Sequence, residues 1–568
     1  MNLPGRKLAF LAFIVVIALY AGTAARDIVW GDGLELCVAA ATGGVPHPPG
    51  YPFYILVAQV CVKLFSGFEV YPLLSLLNVL IGTGAACMAG HICAEFLARE
   101  ARPLLVRMSH WLPAITMLVV GASRGLWSSS TLVEVYAMSA LLCASFLALM
   151  CVPARNGQTL RLALGGILLG WMASHHLPSI AFGGLWLLRA WESRNEQNAR
   201  RWTVVGATAA VLLPIALYGS LLLRAQGTSE GLYWGGTDSF ATLIAHVRGG
   251  EYGQFLLLQE FPGRAFTFSS WMSFAASRVV GIIALADAQF GLGGMWITAL
   301  GLLASLYVGT RSLWISDRPL LIGALAAALA QFIFLLLYNI ADFADYTLGI
   351  FVALFPVALA GVFVALNRTA EKLGYIDAPE RTRRLALAGI AVAVLAASGN
   401  VAECSRAAED LPRKWLKNTL DALPQNSVLL TDADNDTYAL WYAQLVEKQR
   451  RDVLVYATNF HRFPWFARTI PAENPRRELV SFNTGPPPVG VGEYLATLHR
   501  LAIAPMLGTA PVYATLPNGE VLRGWQAAYD VRPLAQVLSD EEVQYLVERG
   551  QLGGIHPVIL EIRKQDSE

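Results

Sequence analysis

From the N-terminus to about residue 400 the chain alternates long apolar runs with short polar breaks. The runs approach the ~20 residues that a helix needs to cross a bilayer core. They predict spans at about 8–25, 73–97, 111–127, 133–152, 161–174, 177–190, 202–223, 290–310, 319–338, 347–366 and 385–400. Residues 52–66 are apolar as well, but they follow Pro46, Pro48, Pro49 and Pro52, and we read them as a helix lying in the interface or dipping into it. Beyond about 401, charges become frequent and short apolar runs alternate with helical spacing. There Ser427–Thr431, Asp452–Tyr456, Pro511–Thr515 and Pro557–Ile562 read as strands and Tyr438–Gln449 as a helix. The pattern predicts a polytopic α-helical membrane protein with about 11 transmembrane helices over 1–400, plus a C-terminal α/β soluble domain over 401–568.

Charge gives this path a direction. With the N-terminus inside, the inner segments 98–110, 189–201 and 367–384 hold Arg99, Arg102, Arg107, Arg194, Arg200, Arg201, Arg381, Arg383 and Arg384. The outer segments 26–72, 128–132, 175–176, 224–289 and 339–346 hold few basic residues for their length, as the positive-inside rule expects. A full crossing at 52–66 would invert that bias, so the tail is expected on the outer side.

Composition agrees: 55% of the 568 residues are hydrophobic and 15% charged, against roughly 25% charged in soluble domains. Fifteen Trp and nineteen Tyr suit a chain with two interfaces to anchor. A net charge of +1 gives no reason to expect nucleic acid as a partner. The seven cysteines read as buried thiols, with no metal-type cluster. Arg6 and Lys7 precede an apolar stretch ending at Ala24-Ala25, which we read as an uncleaved first helix.

The unusual polar residues collect on the expected outer side. Asp32 and Glu35 sit three apart, on one face of a helix. One reading is a capping box, with Asp32 as N-cap and Glu35 at N3; the other is a carboxylate pair at the membrane surface, one member a general base. His47-Pro48-Pro49-Gly50-Tyr51-Pro52 makes a stiff loop with one imidazole. In Trp127 to Tyr136, Ser130 or Thr131 suits a helix cap, while Glu134 at the mouth of an apolar helix suits a cavity. His175 and His176 are adjacent, so their side chains diverge and at most one faces that cavity. Tyr233-Trp234-Gly235-Gly236 and His246-Val247-Arg248-Gly249-Gly250-Glu251-Tyr252 suit either a sugar and phosphate site or a loop resting on headgroups. Asp342 and Asp345 bring carboxylates to another outer turn. In the tail, the run Asp432 to Asp436 is either a cation or acceptor site or a turn rich in Asx caps. A solute transporter places such groups near the midplane. Their gathering at one mouth favours chemistry on a lipid-presented substrate.

Several of these segments together resemble one family. They are Asp32-x-x-Glu35-Leu36, His-Pro-Pro-Gly-Tyr-Pro at 47–52, the Trp127 to Glu134-Val135-Tyr136 spacing, and Tyr338-Asn339-Ile340-x-Asp342-x-x-Asp345. The tail adds Asp434-Asn435-Asp436-Thr437 with Trp441 and Tyr442. The chain resembles the membrane family called domain of unknown function 2723, or glycosyltransferase family 117. The resemblance implies a GT-C type glycosyltransferase that moves a sugar from a polyprenyl-phosphate carrier, with inversion, to a hydroxyl of a protein, glycan or lipid acceptor. It implies an integral membrane enzyme, in a bacterium an inner-membrane one with active site and tail on the periplasmic side. Asp32 is then the expected base, with Glu35 the runner-up. His47, Tyr51, Glu134, His175, His176, Trp234, His246, Arg248, Asp342 and Asp345 are expected around the donor, and no metal or cofactor is expected. Two departures are visible: Gly33-Leu34 stands where the family often has Ser-Gly, and His175-His176 where it often has Asn-His. A lipid-linked sugar transporter is the alternative reading.

Overall fold

The computed structural model describes residues 3–152, 159–227, 230–250, 267–291, 296–340, 343–374, 379–482, 491–515, 519–549 and 554–565. Asp342, Glu251 and Tyr252 lie outside them. Helix α1 (Leu3–Thr23) is followed by two short helices, α2 (Asp32–Thr42) and α3 (Pro52–Leu64). The long α4 (Val70–Leu97) leads through α5 (Pro103–Met108) to α6 (Leu112–Gly121) and α7 (Arg124–Ser130). Next come α8 (Tyr136–Met150), α9 (Leu160–Ala173), the 3₁₀ turn Leu177–Phe182 running into α10 (Gly183–Glu192), and α11 (Ala199–Gly227). After α12 (Phe240–Val247) and α13 (Phe268–Ala288), four long helices complete the bundle: α14 (Ile297–Ser316), α15 (Arg318–Leu337), α16 (Phe343–Lys372) and α17 (Pro379–Cys404). Seven helices among the described residues are long and apolar enough to cross a bilayer, and four shorter apolar ones accompany them.

Contacts at the helix ends define the two ends of the bundle. At the end away from the tail, Arg189 donates to Asp317 (2.8 Å), Glu192 (2.7 Å) and the Met150 carbonyl (2.7 Å). Arg99 lies 3.5 Å from the same Asp317 and donates to the Cys151 carbonyl. This network, buried at Arg189 and Asp317, ties together the ends of α4, α8 and α10 and the α14–α15 junction. At the tail end, the Trp127 indole donates to Thr23 (2.8 Å), Thr131 to the Cys404 carbonyl (2.9 Å), and the Arg406 backbone to Thr23 (2.8 Å). Helix α3 starts beside Ser174 at the tail end, and by Tyr71 the chain is back there, against Tyr442 of the tail. Both ends of the segment thus lie on the tail side, as expected of an apolar run that does not cross.

Close helix contacts use glycine. A Cβ at Gly309 of α14 would stand 1.9 Å from the Val357 carbonyl oxygen of α16, and one at Gly361 the same distance from that of Ser305. Without a hydrophobic drive between helices in lipid, such small-residue seams supply the packing.

The tail folds around a five-stranded sheet of order β2-β1-β3-β5-β4. Its strands are β1 (Val428–Thr431), β2 (Leu454–Ala457), β3 (Val512–Thr515), β4 (Asp530–Gln536) and β5 (Val558–Arg563). Strands β2, β1 and β3 are parallel and wholly buried, which is why they read as continuous apolar runs. Strand β4, half-exposed and containing Pro533, escaped the sequence pattern. Helices α18 (Leu411–Ala422) and α19 (Asp434–Trp441) flank the sheet, and α19 runs on as a π-helical turn over Tyr442–Val446.

The tail is bolted to the bundle. Arg413 donates to Asp27 (2.8 Å) and Glu447 (2.7 Å), Arg451 donates to Glu230 (2.8 Å), and the Tyr71 N–H donates to the Tyr442 hydroxyl (3.3 Å). Trp234 wedges between Trp465 (rings 4.9 Å apart, near-parallel), Phe460 (4.8 Å) and Tyr438 (6.4 Å).

Candidate active site between bundle and tail

Gly31 precedes α2 with φ 114°, a conformation that favours glycine, and the helix begins at Asp32 without a side-chain cap. The capping-box reading of Asp32 and Glu35 therefore does not hold. Glu35 is fully buried and turned to the proline-rich loop: one oxygen accepts the His47 backbone N–H (2.6 Å), the other bonds the His47 Nδ1 (2.5 Å). The His47 Nε2 lies 3.8 Å from Asp32, whose side chain is 50% exposed. One imidazole thus bridges a buried and an open carboxylate. Burial opposes the charge on His47, but Glu35 and then Asp32 outweigh it and raise the imidazole to about 9.

The loops around this triad are held by backbone. Val45 donates to the Leu232 carbonyl (2.7 Å) and accepts from the Trp234 N–H (3.0 Å), so the two loops run side by side. His47 then packs edge-on against Tyr51 (5.3 Å) and Trp234 (6.2 Å). Gly50 (φ 90°) and Gly235 (φ 75°) flank His246, and a Cβ on either would meet its ring at 2.9 and 2.7 Å. That imidazole is buried with neither nitrogen hydrogen-bonded among the described residues, and burial plus the nearby His47 lower it to about 3.

The remaining predicted residues divide. Glu134 is half-buried, with Asp32, Asp345 and His47 as its charged neighbours. His175 bonds the Val135 carbonyl (2.8 Å) beside Tyr51 and Tyr54. His176 turns the other way, against Tyr136 (6.1 Å) and Tyr346 (5.3 Å). Arg248 is exposed at the end of α12, and its side chain makes no ion pair among the described residues. Ser130 and Thr131 do not cap α8, which begins after Val135; their hydroxyls donate to the Leu126 and Cys404 carbonyls.

The tail motif separates in the same way. Asp436 is buried and accepts from the Ala433 N–H (3.1 Å) and the Thr515 hydroxyl (2.6 Å), the capping role expected of an Asx turn. Trp441 is core, stacked on Phe460 (5.6 Å), and Tyr442 is the bolt to α4. Asn435 is half-buried beside them. Asp434 differs: it opens α19, which packs on α2, and the Asn459 amide holds it at 3.1 Å. Asp434 is exposed at the mouth, yet the atoms packed around its carboxyl group, and then Asp32 and Glu35, raise it above the usual carboxylate range.

Sequence reasoning missed the adjacent cavity of ≈ 240 Å³, whose lining includes Arg124, Ser128, Glu134, Asp345, Glu403 and Arg406. The two arginines lie 282 residues apart in sequence by their numbers, and each sits just beyond an apolar run, so only the packing of α7 against α17 joins them. It also missed Tyr346, which packs against both Tyr136 (5.4 Å) and Tyr338 (5.9 Å). A possible ligand set escaped it too. One atom each of Asp32, Glu35 and His47 lie within 4.8 Å of one another, a spacing that a metal ion accepts. In the structure the Glu35 carboxylate meets the His47 Nδ1 at 2.5 Å, and Asp32 lies 3.8 Å from the Nε2.

A family profile described as "Protein O-mannosyl-transferase TMEM260 N-terminal domain" matches residues 32–183, and "TMEM260-associated domain 2" matches residues 412–476. The mouse "Protein O-mannosyl-transferase TMEM260" is 24% identical over 489 residues, covering 81% of this chain and 64% of the mouse protein. The Dictyostelium discoideum protein of that name is 22% identical over 513 residues, covering 83% and 59%. The chain thus spans about six-tenths of the length of these relatives. Among solved structures, ArnT from Cupriavidus metallidurans in the apo state aligns over 97% of both chains with a TM-score of 0.53 at 12% identity. The Archaeoglobus fulgidus oligosaccharyltransferase with Zn and sulfate aligns over 89% of this chain and 68% of its own, with a TM-score of 0.50 and 12% identity. The architecture is the expected GT-C one: an integral membrane helix bundle with a C-terminal sheet domain.

Proposed function

We propose that this chain is a polyprenyl-phosphate-dependent glycosyltransferase, within the family 117 grouping, that transfers a sugar to an acceptor hydroxyl with inversion. The names of the mouse and Dictyostelium relatives favour mannose as the sugar and a protein hydroxyl as the acceptor. The observation that carries the reading is the composite mouth: a half-exposed Asp32, fixed beside the His47–Glu35 pair, opens between membrane bundle and tail. Asp32 takes the acceptor's proton as its oxygen bonds to the sugar C1. The bond from C1 to the carrier phosphate breaks, and its electron pair leaves on the phosphate. Glu35, doubly bonded to His47, holds the imidazole and through it the position of Asp32.

Developing charge on a leaving phosphate calls for fixed donors. Arg124 and Arg406 in the neighbouring cavity, positioned by Glu403 and Glu409, suit that need better than Arg248, which makes no ion pair among the described residues; a phosphate would take them over from those carboxylates. Tyr136 and Tyr346, half-buried, offer ring faces for the sugar, while Tyr51 and Trp234 are buried and back the His47 ring, and Asp434 faces the acceptor side. We place the mouth on the extracytoplasmic side, periplasmic in a bacterium, because the arginine bias of the opposite end supports it. The transporter reading has less support. Arg189 and Asp317 pair in a buried contact at the opposite end, with the half-exposed Arg99 beside them, and this network ties helix ends together, away from the midplane.

The test is transfer of radiolabelled mannose from polyprenyl-phosphate mannose to a Ser/Thr-rich peptide by purified protein in vesicles. Wild-type product that disappears in Asp32→Asn, with unchanged thermal unfolding, is the expected result. Full activity of that variant would remove Asp32 as base. Wild-type movement of carrier between leaflets with no glycoside formed would favour the transporter.

A further inference from the structure

Helix α13 (Phe268–Ala288) has 21 residues and enough hydropathy to cross a bilayer, yet its contacts keep it at one level. Near its start, the Trp271 indole donates to the Leu336 carbonyl (3.1 Å), at the tail end of α15. At its middle, the Arg278 guanidinium donates to the Ile340 carbonyl (2.5 Å) and lies 4.2 Å from the Phe343 ring, in the tail-end link between α15 and α16. Just past its end, the Gln289 carbonyl accepts from the Arg124 N–H (2.9 Å) and the Asn400 amide (2.9 Å), again at the tail end. A helix of this length is about 30 Å long. A crossing helix would put one terminus among the far-end groups around Asp317. Start, middle and end of α13 all meet tail-end groups, so it runs across the bundle, not through it.

Its surface says what covers it. Phe268, Met272, Val279 and Val280 are exposed, while Arg278 and Asp287 are the charged side chains it carries and both are turned inward. Asp287 accepts the backbone N–H groups of Trp296 (3.1 Å) and Thr298 (3.2 Å) at the start of α14. Ser269, Ser270, Ser273 and Ser277 are exposed too, and a helix that frees both apolar and hydroxyl groups and is continuous with a membrane bundle fits the interface of a leaflet. Its C-terminal end supplies Leu285 and Gln289 to the lining of the two-arginine cavity. Gln289 also accepts the Gly125 N–H (3.1 Å) with its side chain.

We propose that α13 lies in the plane of the leaflet on the tail side, its exposed face in lipid, and that its C-terminal turn forms the lipid-side wall of the Arg124–Arg406 cavity. A lipid bearing a phosphate reaches the cavity sideways from that leaflet, past Leu285. The placement of α13 stands on contacts alone; the lipid's identity rests on the function proposed above.

Depth-dependent quenching tests the placement without any transfer assay. A genetically encoded fluorophore is set at Phe268, Met272 or Val280 of the full chain in vesicles whose lipids carry quenchers at shallow or deep positions. In-plane packing predicts stronger shallow than deep quenching at all three. Deep quenching at Val280 with shallow quenching at Phe268 means a crossing helix, and no quenching means a water-covered one; either result overturns the proposal. A photocrosslinker at Leu285 tests the wall. It should capture a labelled polyprenyl phosphate several-fold more than one at Leu300, an exposed residue of α14. Equal capture would sink the entry route while leaving the transferase reading untouched.

Discussion

At the scale of single residues, the mouth is governed by one shared imidazole. His47 in an unfolded chain titrates near 6.5; beside Glu35 and Asp32 it is raised to about 9. A group whose folded value is raised contributes stability fully below its unfolded value and loses it as pH rises through the folded one. Thermal unfolding of the wild type should therefore fall between about pH 7 and 9. His47→Gln should be less stable at pH 6 and show a flatter profile, and equal slopes in the two proteins would refute the ion-paired His47. Glu35→Gln leaves the imidazole without its buried counter-charge and should move the inflection down. Asp32 was legible in the sequence as a candidate. Which of the two carboxylates stays open was not, because a three-residue spacing fits a capping box as well as a surface pair.

At the scale of elements, apolar run length located most of the long helices, because backbone in lipid has no partner except its own helix, though it set α14 several residues early and did not mark α13. The spans expected at 161–174 and 177–190 correspond to the short α9 and to a 3₁₀ turn leading into α10. Residues 224–289 were read as an outer segment without a long helix, yet α13 lies there. Its composition passes for a span, and only its partners reveal the orientation. The glycine seams make a direct prediction. Gly309→Val drives a side chain into the Val357 carbonyl of α16 and should cost about 2 kcal/mol or more, seen as a lower unfolding temperature in detergent. Gly301, on the same helix with open space around its Cβ position, is the control and should tolerate alanine.

At the scale of the whole molecule, the tail is part of the mouth. Asp434 arrives on α19, against α2, within the field of Asp32, Glu35 and His47. Asp434→Asn should raise the acceptor KM while leaving carrier binding in place, and an unchanged KM would confine the tail to a structural role. Trp234 joins the halves, buried between His47 and the tail aromatics. Trp234→Ala should cost about 3–5 kcal/mol and expose the tail junction to protease. Thermal unfolding and limited proteolysis measure the two effects, and an intact junction would refute the wedge.

The sequence by itself determined the membrane class, most helix positions, the non-crossing character of 52–66 and the α/β character of the tail, and it named the polar segments proposed for the mouth. These properties are local: bilayer thickness, strand burial and proline geometry act on consecutive residues. Only the tertiary structure decided which side chains of those segments meet. It turned Glu35 to His47, left Asp32 open, buried Asp436 as a cap, brought Arg124 to Arg406 and laid α13 across the bundle. Each of these outcomes depends on helix rotation and on partners hundreds of residues away, which no hydrophobic period encodes.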